Sequence, residues 1–231
     1  MLVTSAMPAG QMSGSLGGLT ASHNRFGSYF RSRTIPTNPN SSRQNVVRSQ
    51  LAALSQYWNA TLTSTQRSQW DVYAAAVPWT NRVGQSVKLT GFNMFCRSNA
   101  ALLQAGLTQV DDGPAILTLP ETDPTLAVTI SAATQLASVA YDNSLPWANE
   151  AGGALLISIG TPQAASRNYF GGPYRYAGLE AGSTPTPPTS PQTVTCPFTV
   201  QAGQKVWCEA RVVRADGRLS TRFLCTGVCA S

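Results

Sequence analysis

Few side chains in this sequence can do acid–base, nucleophilic or metal chemistry, and they stand far apart. Its single histidine, His23, lies in a glycine-rich arm. The nucleophile–base pair that a hydrolase needs is not assembled there, and His23 reads as a solvated or interface residue. Asp111-Asp112 is the one adjacent pair of acids and precedes Gly113-Pro114, where neighbouring side chains need not converge on a substrate. Gly17-Gly18 lacks the lysine and following Ser/Thr of a phosphate-binding loop. The acids of the second half do not fall at calcium-loop spacing. Cys96, Cys196, Cys208, Cys225 and Cys229 contain no C-x-x-C step, and a Cys/His zinc cluster is not expected, while an all-Cys site stays open. Val206, Cys208, Ala210 and Val212 share one face of a strand, so the thiols read as buried and free. A disulfide between neighbouring strands is the alternative. The chain reads as non-enzymatic, with no catalytic, cofactor-binding or metal residue assigned.

The residues that do stand out suit contact chemistry. Arg25, Phe26, Tyr29, Phe30, Arg31 and Arg33 form a basic-aromatic ribbon. Arginine offers bidentate donors for carboxylates and the aromatic rings offer apolar anchors, which makes these six the candidate subunit contacts. Arginine outnumbers lysine fourteen to two, which suits buried polar interfaces. Residues 1–110 hold eight arginines and Lys88 against Asp71, a net +8, whereas residues 111–231 carry −2. Two parts with different partners are expected.

Those side chains must be positioned by recognisable elements. Residues 1–24 are Gly, Ser, Met and Ala with little apolar periodicity, expected to order against a partner or in an assembly. Ser41-x-x-Gln44 and Thr63-x-x-Gln66 are capping boxes. The first opens a helix with Val47, Leu51, Leu54 and Trp58 on one stripe. The second opens a helix with Trp70, Tyr73, Ala74 and Val77 on one face. The short link Asn59–Leu62 predicts an antiparallel helical hairpin. A third helix is predicted over Gly91–Ala105, ended by Gly106, with Trp58, Trp70, Phe92 and Phe95 in a small core.

Beyond about residue 113 the period changes from helical to alternating. Seven strands are predicted: Leu126–Ile130, Ala137–Tyr141, Ala154–Ile159, Tyr174–Leu179, Thr193–Val200, Val206–Val213 and Ser220–Val228. Asp216-Gly217 is a hairpin signal between the last two. The proline-rich stretch 181–192 reads as an exposed connection. The expected fold is α+β in two domains: an extended arm over 1–40, a small helical domain over 41–110, a linker over 111–124, and an antiparallel β-sandwich over 125–231.

Charged residues are only 11% of the chain, against about 25% in ordinary domains, so much of the surface is expected to be covered by other subunits. No apolar run approaches the ~20 residues of a membrane span. The opening Met-Leu-Val-Thr-Ser-Ala-Met-Pro lacks the basic start and apolar run of a secretory signal. A soluble protein made in the cytoplasm, without a membrane partner, is expected.

The strand count, the alternation in Lys205–Val213 and the Val212–Ser220 hairpin resemble a fibronectin type III or related immunoglobulin-like module. The usual early-strand tryptophan is missing, with Val139 and Tyr141 in its region. Residues 14–106 resemble a pattern in structural proteins of tailed bacteriophages. Its parts are Gly17-Gly18, the Arg25–Arg31 ribbon, Asn38-Pro39-Asn40, a Gln/Arg/Trp helical hairpin from Gln44 to Trp70, and Thr90-Gly91-Phe92…Phe95…Asn99. This resemblance implies a virion structural protein: a capsid decoration or cement, a neck or a tail component. Its partners would be copies of itself and other virion proteins, and its sandwich would project outward. Two alternatives remain. The basic half suits phosphate contacts, although its arginines are dispersed and lysine is scarce. Alternatively, Trp147, Tyr169, Tyr174 and Tyr176 on a sandwich rim would stack on sugars, including a host-surface glycan.

Overall fold

The computed structural model describes residues 13–24, 27–35, 37–80 and 86–231. Chain contacts divide the protein into two compact units, Met1–Asn45 and Val46–Ser231. The first holds a three-stranded antiparallel sheet: β1 (Gly14–Leu16), β2 (Leu19–Asn24) and β3 (Gly27–Ser32), in the order β1-β2-β3. The stretch expected as an extended arm therefore pairs with itself. Its glycines make this possible: Gly17 adopts φ +57° in the two-residue Gly17-Gly18 turn that sets Leu16 opposite Leu19.

Three helices follow: α1 (Ser42–Ala60), α2 (Ser64–Ala76) and, after the two-residue strands β4 (Trp79–Thr80) and β5 (Ser86–Val87), α3 (Gly91–Ala105). Each start is explained by its cap. Ser41 and Gln44 exchange bonds of 3.1 and 3.4 Å, and Thr63 and Gln66 bonds of 2.9 and 3.2 Å. The Thr90 hydroxyl accepts from the Asn93 amide. The close helix pair is α2 with α3 rather than the expected hairpin of α1 with α2. Only the C-terminal part of α1 reaches the core, through Leu54, Tyr57 and Trp58. Val47 and Leu51, expected in that core, are exposed, because no described element of the second unit covers the first turns of α1. Trp70, Tyr73, Met94 and Phe95 are fully buried, and burial pushes the Tyr73 phenol up to about 12.

The seven remaining strands are β6 (Ala127–Ser131), β7 (Leu136–Ala140), β8 (Ala154–Gly160), β9 (Tyr174–Ala181), β10 (Gln192–Thr195), β11 (Lys205–Val213) and β12 (Phe223–Ala230). They form one hydrogen-bonded series, β10-β7-β6-β12-β11-β8-β9. All pairs are antiparallel except β12 with β6, where Cys229 faces Ile130 and Ala230 faces Ser131 in parallel. The sheet is therefore mixed and not purely antiparallel as expected, because the last strand returns alongside the first in the same direction. Inward residues of β6, β7, β8, β10 and β11 meet in one core with Trp147 and Tyr141.

Residues 111–124, expected as a linker, are tied down along the second unit. The Asp111 carboxylate accepts from Tyr57 Oη at 2.7 Å and Gln109 Nε2 at 2.8 Å, and its backbone oxygen accepts from Trp70 Nε1 at 2.9 Å. Asp112 turns away to Gln66 Nε2. The two adjacent carboxylates thus diverge, each serving a different helix. Helix α3 packs on the sheet through Leu102, which shares a cluster with Ala154, Leu156, Val213 and Leu219. The helical and β portions of 46–231 are joined by a packed seam, so the division at 111–124 is one of pattern and not of contact.

Candidate assembly surface

In the β1–β3 sheet, strand alternation sorts the side chains by face. Register places Leu16 opposite Leu19, and Ala21 opposite both Gly14 and Phe30, so these apolar residues share one face. The other face carries Thr20, Ser22, Tyr29 and Arg31. Leu16 is 89% exposed, Leu19 53% and Phe30 36%, and no buried hydrophobic cluster includes any of them. A shallow hollow of about 440 Å³ opens between Leu16, Leu19, Ala21 and Phe30.

Of the six residues expected as subunit contacts, the described ones on β3 divide between the two faces of the sheet. Phe30 lies on the apolar face, whereas Tyr29 and Arg31 lie on the opposite one. Arg33 follows the strand, its amide donating to the Gly18 carbonyl at 2.8 Å. Arg25 and Phe26 lie outside the described residues. His23 stands on the apolar face opposite Ser28, exposed. Leu16, Leu19 and Ala21 were not picked out by sequence reasoning. Their signal is the period-2 spacing Leu19-x-Ala21 reflected across Gly17-Gly18, and it emerges only once the turn is placed.

A second, polar feature lies on the outer face of β8, β9 and β11, under α3. Phe170 and Trp207 meet at a 32° tilt with ring centroids 5.4 Å apart, and Phe170 meets Tyr174 edge-on at 5.3 Å. Gly160 permits this, since a Cβ there would sit 2.4 Å from the Phe170 ring. Beside these rings is a cleft of about 200 Å³ between Ala101 and Gln104 of α3 and Ser158, Tyr174, Tyr176, Glu209 and Arg211 of the sheet. Glu209 is nearly buried and pairs with Arg211 at 3.3 Å and Arg222 at 3.7 Å. Burial raises both tyrosine phenols, with the Glu209 charge adding at Tyr174. Both hydroxyls therefore remain protonated donors at neutral pH. Tyr174 Oη donates to the Phe170 carbonyl at 3.3 Å, whereas Ser158, Tyr176 and Gln104 spend no side-chain hydrogen bond on the described residues.

Of the four aromatics expected on a sandwich rim, only Tyr174 and Tyr176 reach this cleft. Trp147 is in the core instead, 5.4 Å from Tyr141, where a large apolar ring gains most by burial. Tyr169 is 78% exposed and lies outside the cleft. Among the described residues, no three His, Cys, Asp or Glu side chains gather into a metal-binding group. No described helix is long and apolar enough to cross a membrane.

No protein-family model matches the chain, and neither does any curated protein. Among solved structures it is similar to an Fn3-like protein from Clostridium thermocellum, with 14% identity and a TM-score of 0.31 over 49% of this chain and 97% of that one.

Proposed function

We propose that this is a non-enzymatic structural protein of a tailed-phage virion whose β1–β3 sheet docks on neighbouring subunits. The observation that carries the proposal is an apolar sheet face with no core of its own. A three-stranded sheet needs its hydrophobic face covered to be stable, and the first unit supplies no such cover among the described residues. The polar face adds Arg31 and Tyr29, the residue types enriched at interface anchors. A low overall charge leaves association weakly opposed. Copies of the same chain are the first partners, followed by other virion proteins.

The outward-projecting part in this reading is a β-sandwich. Support comes from strand order: β10-β7-β6 would form one layer and β12-β11-β8-β9 the other, with inward side chains of both meeting in one core. β9 and β10, at opposite ends of the series, approach each other, which an open flat sheet would not allow.

The test is solution size. The full chain is expected to form discrete oligomers, and Leu16→Ser/Leu19→Ser/Phe30→Ser to weaken them at least tenfold without changing the unfolding of residues 46–231. A chain that stays monomeric at every concentration, while binding DNA with a steep salt slope, would transfer the reading to the nucleic-acid alternative.

The cleft under α3 favours a second role for the same protein, glycan binding. Among the described residues, Tyr176, Ser158 and Gln104 are unspent polar groups beside a carboxylate–arginine pair. At about 200 Å³ the cleft lies below the ~300–1,000 Å³ of drug-sized pockets, which suits one sugar ring. On a glycan array, full-length protein is expected to bind at least one structure, and Gln104→Ala or Tyr176→Ala to weaken that binding about tenfold. Binding unaffected by either change would place the contact elsewhere.

A further inference from the structure

We infer that Cys208 and Cys225 are a disulfide-forming pair, closed by thiol–disulfide exchange when the protein meets a small-molecule disulfide. They are register partners on the antiparallel strands β11 and β12. Directly opposed residues in such a ladder have Cα atoms about 4.5–5.5 Å apart, inside the ~4.4–6.8 Å range of natural disulfides. Both side chains point inward: Cys208 is fully buried in the sheet core and Cys225 is packed against it, half-buried. The flanking pairs, Trp207 with Thr226 and Glu209 with Leu224, take the opposite face.

None of the other three cysteines faces a cysteine in strand register, although Cys196 lies near Cys229. Cys196 follows the end of β10, Cys229 faces Ile130 across the parallel pairing, and Cys96 sits on α3. All five are free thiols in this structure. A hydrogen bond with the adjoining Cys225 thiol, and then burial, hold the Cys208 thiol far above its usual range, so its reaction waits on local opening of β12. The more accessible Cys225 reacts first. Its thiolate attacks glutathione disulfide, forming a mixed disulfide and releasing one glutathione thiolate. The Cys208 thiolate then attacks the Cys225 sulfur, closing the protein disulfide and expelling the second glutathione thiolate. The two cysteines lose two protons and two electrons, and glutathione disulfide gains them as two thiols. The pair would stay reduced in a cytoplasm and close outside it, stapling the last two strands. This chemistry does not depend on the assembly reading.

The experiment uses the full chain, purified reduced and incubated with glutathione disulfide. Free thiols are expected to fall from five to three, with peptide mapping linking Cys208 to Cys225. Dithiothreitol should restore all five. The oxidised form should unfold about 5–10 °C higher, from the constraint on a loop of this length. Cys225→Ser should keep its four thiols throughout; if it does not fold, the peptide map of the unsubstituted chain decides alone. A Cys196–Cys229 link, a glutathione adduct on Cys225 that never resolves, retention of five thiols, or a lowered unfolding temperature would each overturn the pair.

Discussion

Replacing Trp70 by alanine is expected to lower the unfolding free energy of residues 46–231 by about 3–5 kcal/mol, the range for deleting a fully buried large aromatic. Trp70 is 0% exposed and stands where four segments meet. Its ring lies edge-on to Phe95 of α3 at 5.7 Å and to Tyr73 of its own helix at 6.1 Å. Its indole nitrogen donates to the Asp111 carbonyl, and its far edge reaches the turn at Gly217, where an added Cβ would lie 3.5 Å away. Alanine would open a cavity facing all four segments and remove one of the hydrogen bonds that anchor residues 109–113. Trp70→Phe keeps most of the apolar contact and loses the donor, so about 1–2 kcal/mol is expected. Urea unfolding of the two variants measures both. A cost below about 1 kcal/mol for Trp70→Ala would mean that the seam is held elsewhere.

Arg97→Met is expected to cost about 2–4 kcal/mol, with Arg97→Lys recovering less than half of it. The Arg97 guanidinium reaches from α3 to the segment before β12. There it donates to the carbonyls of Leu219 at 2.6 Å and Ser220 at 2.5 Å and lies 4.5 Å over the Trp79 ring. Leu219 and Ser220 are fully buried, so their carbonyls have little water to turn to if the donor is removed. Burial, with the nearby Arg211 charge, lowers the Arg97 pKa to about 10, which still leaves it cationic at neutral pH. Lysine carries the charge but not the planar fork that serves two carbonyls at once. Equal stability of the methionine and lysine variants in chemical unfolding would show that the stem's apolar contact, not the forked hydrogen bonding, holds helix and sheet together.

The Arg97 bridge was not legible in the sequence. Arg97 stands on α3 beside the apolar residues Phe95 and Cys96, and a lone arginine on a helix ordinarily reads as a solvated charge. Its acceptors lie more than one hundred residues away and are backbone atoms, which have no residue signature. The same applies to Asp111, whose sequence setting before Gly113-Pro114 suggested a spacer. One side chain that holds it, Tyr57, lies 54 residues away on α1, whereas Gln109 stands two residues before it. The cleft was half legible: Tyr174 and Tyr176 alternate onto one face, but Gln104 joins them only because α3 packs across the sheet.

By itself the sequence determined the local elements. The Thr63–Gln66 and Thr90 caps set the starts of α2 and α3, and Gly106 the end of α3. Alternation placed six of the seven late strands within a few residues at each end, and Thr193–Val200 shrank to β10 because Pro197 cannot continue a ladder. Those choices depend on neighbours a few residues apart, whose periodicity and hydrogen bonding are written in order along the chain. Tertiary structure alone decided which faces met. It folded the glycine-rich arm into a sheet with an uncovered apolar face, left Val47 and Leu51 outside while burying Leu54, ran β12 parallel to β6, and set Cys208 opposite Cys225. An apolar stripe records that a face favours burial without recording its partner, and register between distant strands depends on the whole core closing at once.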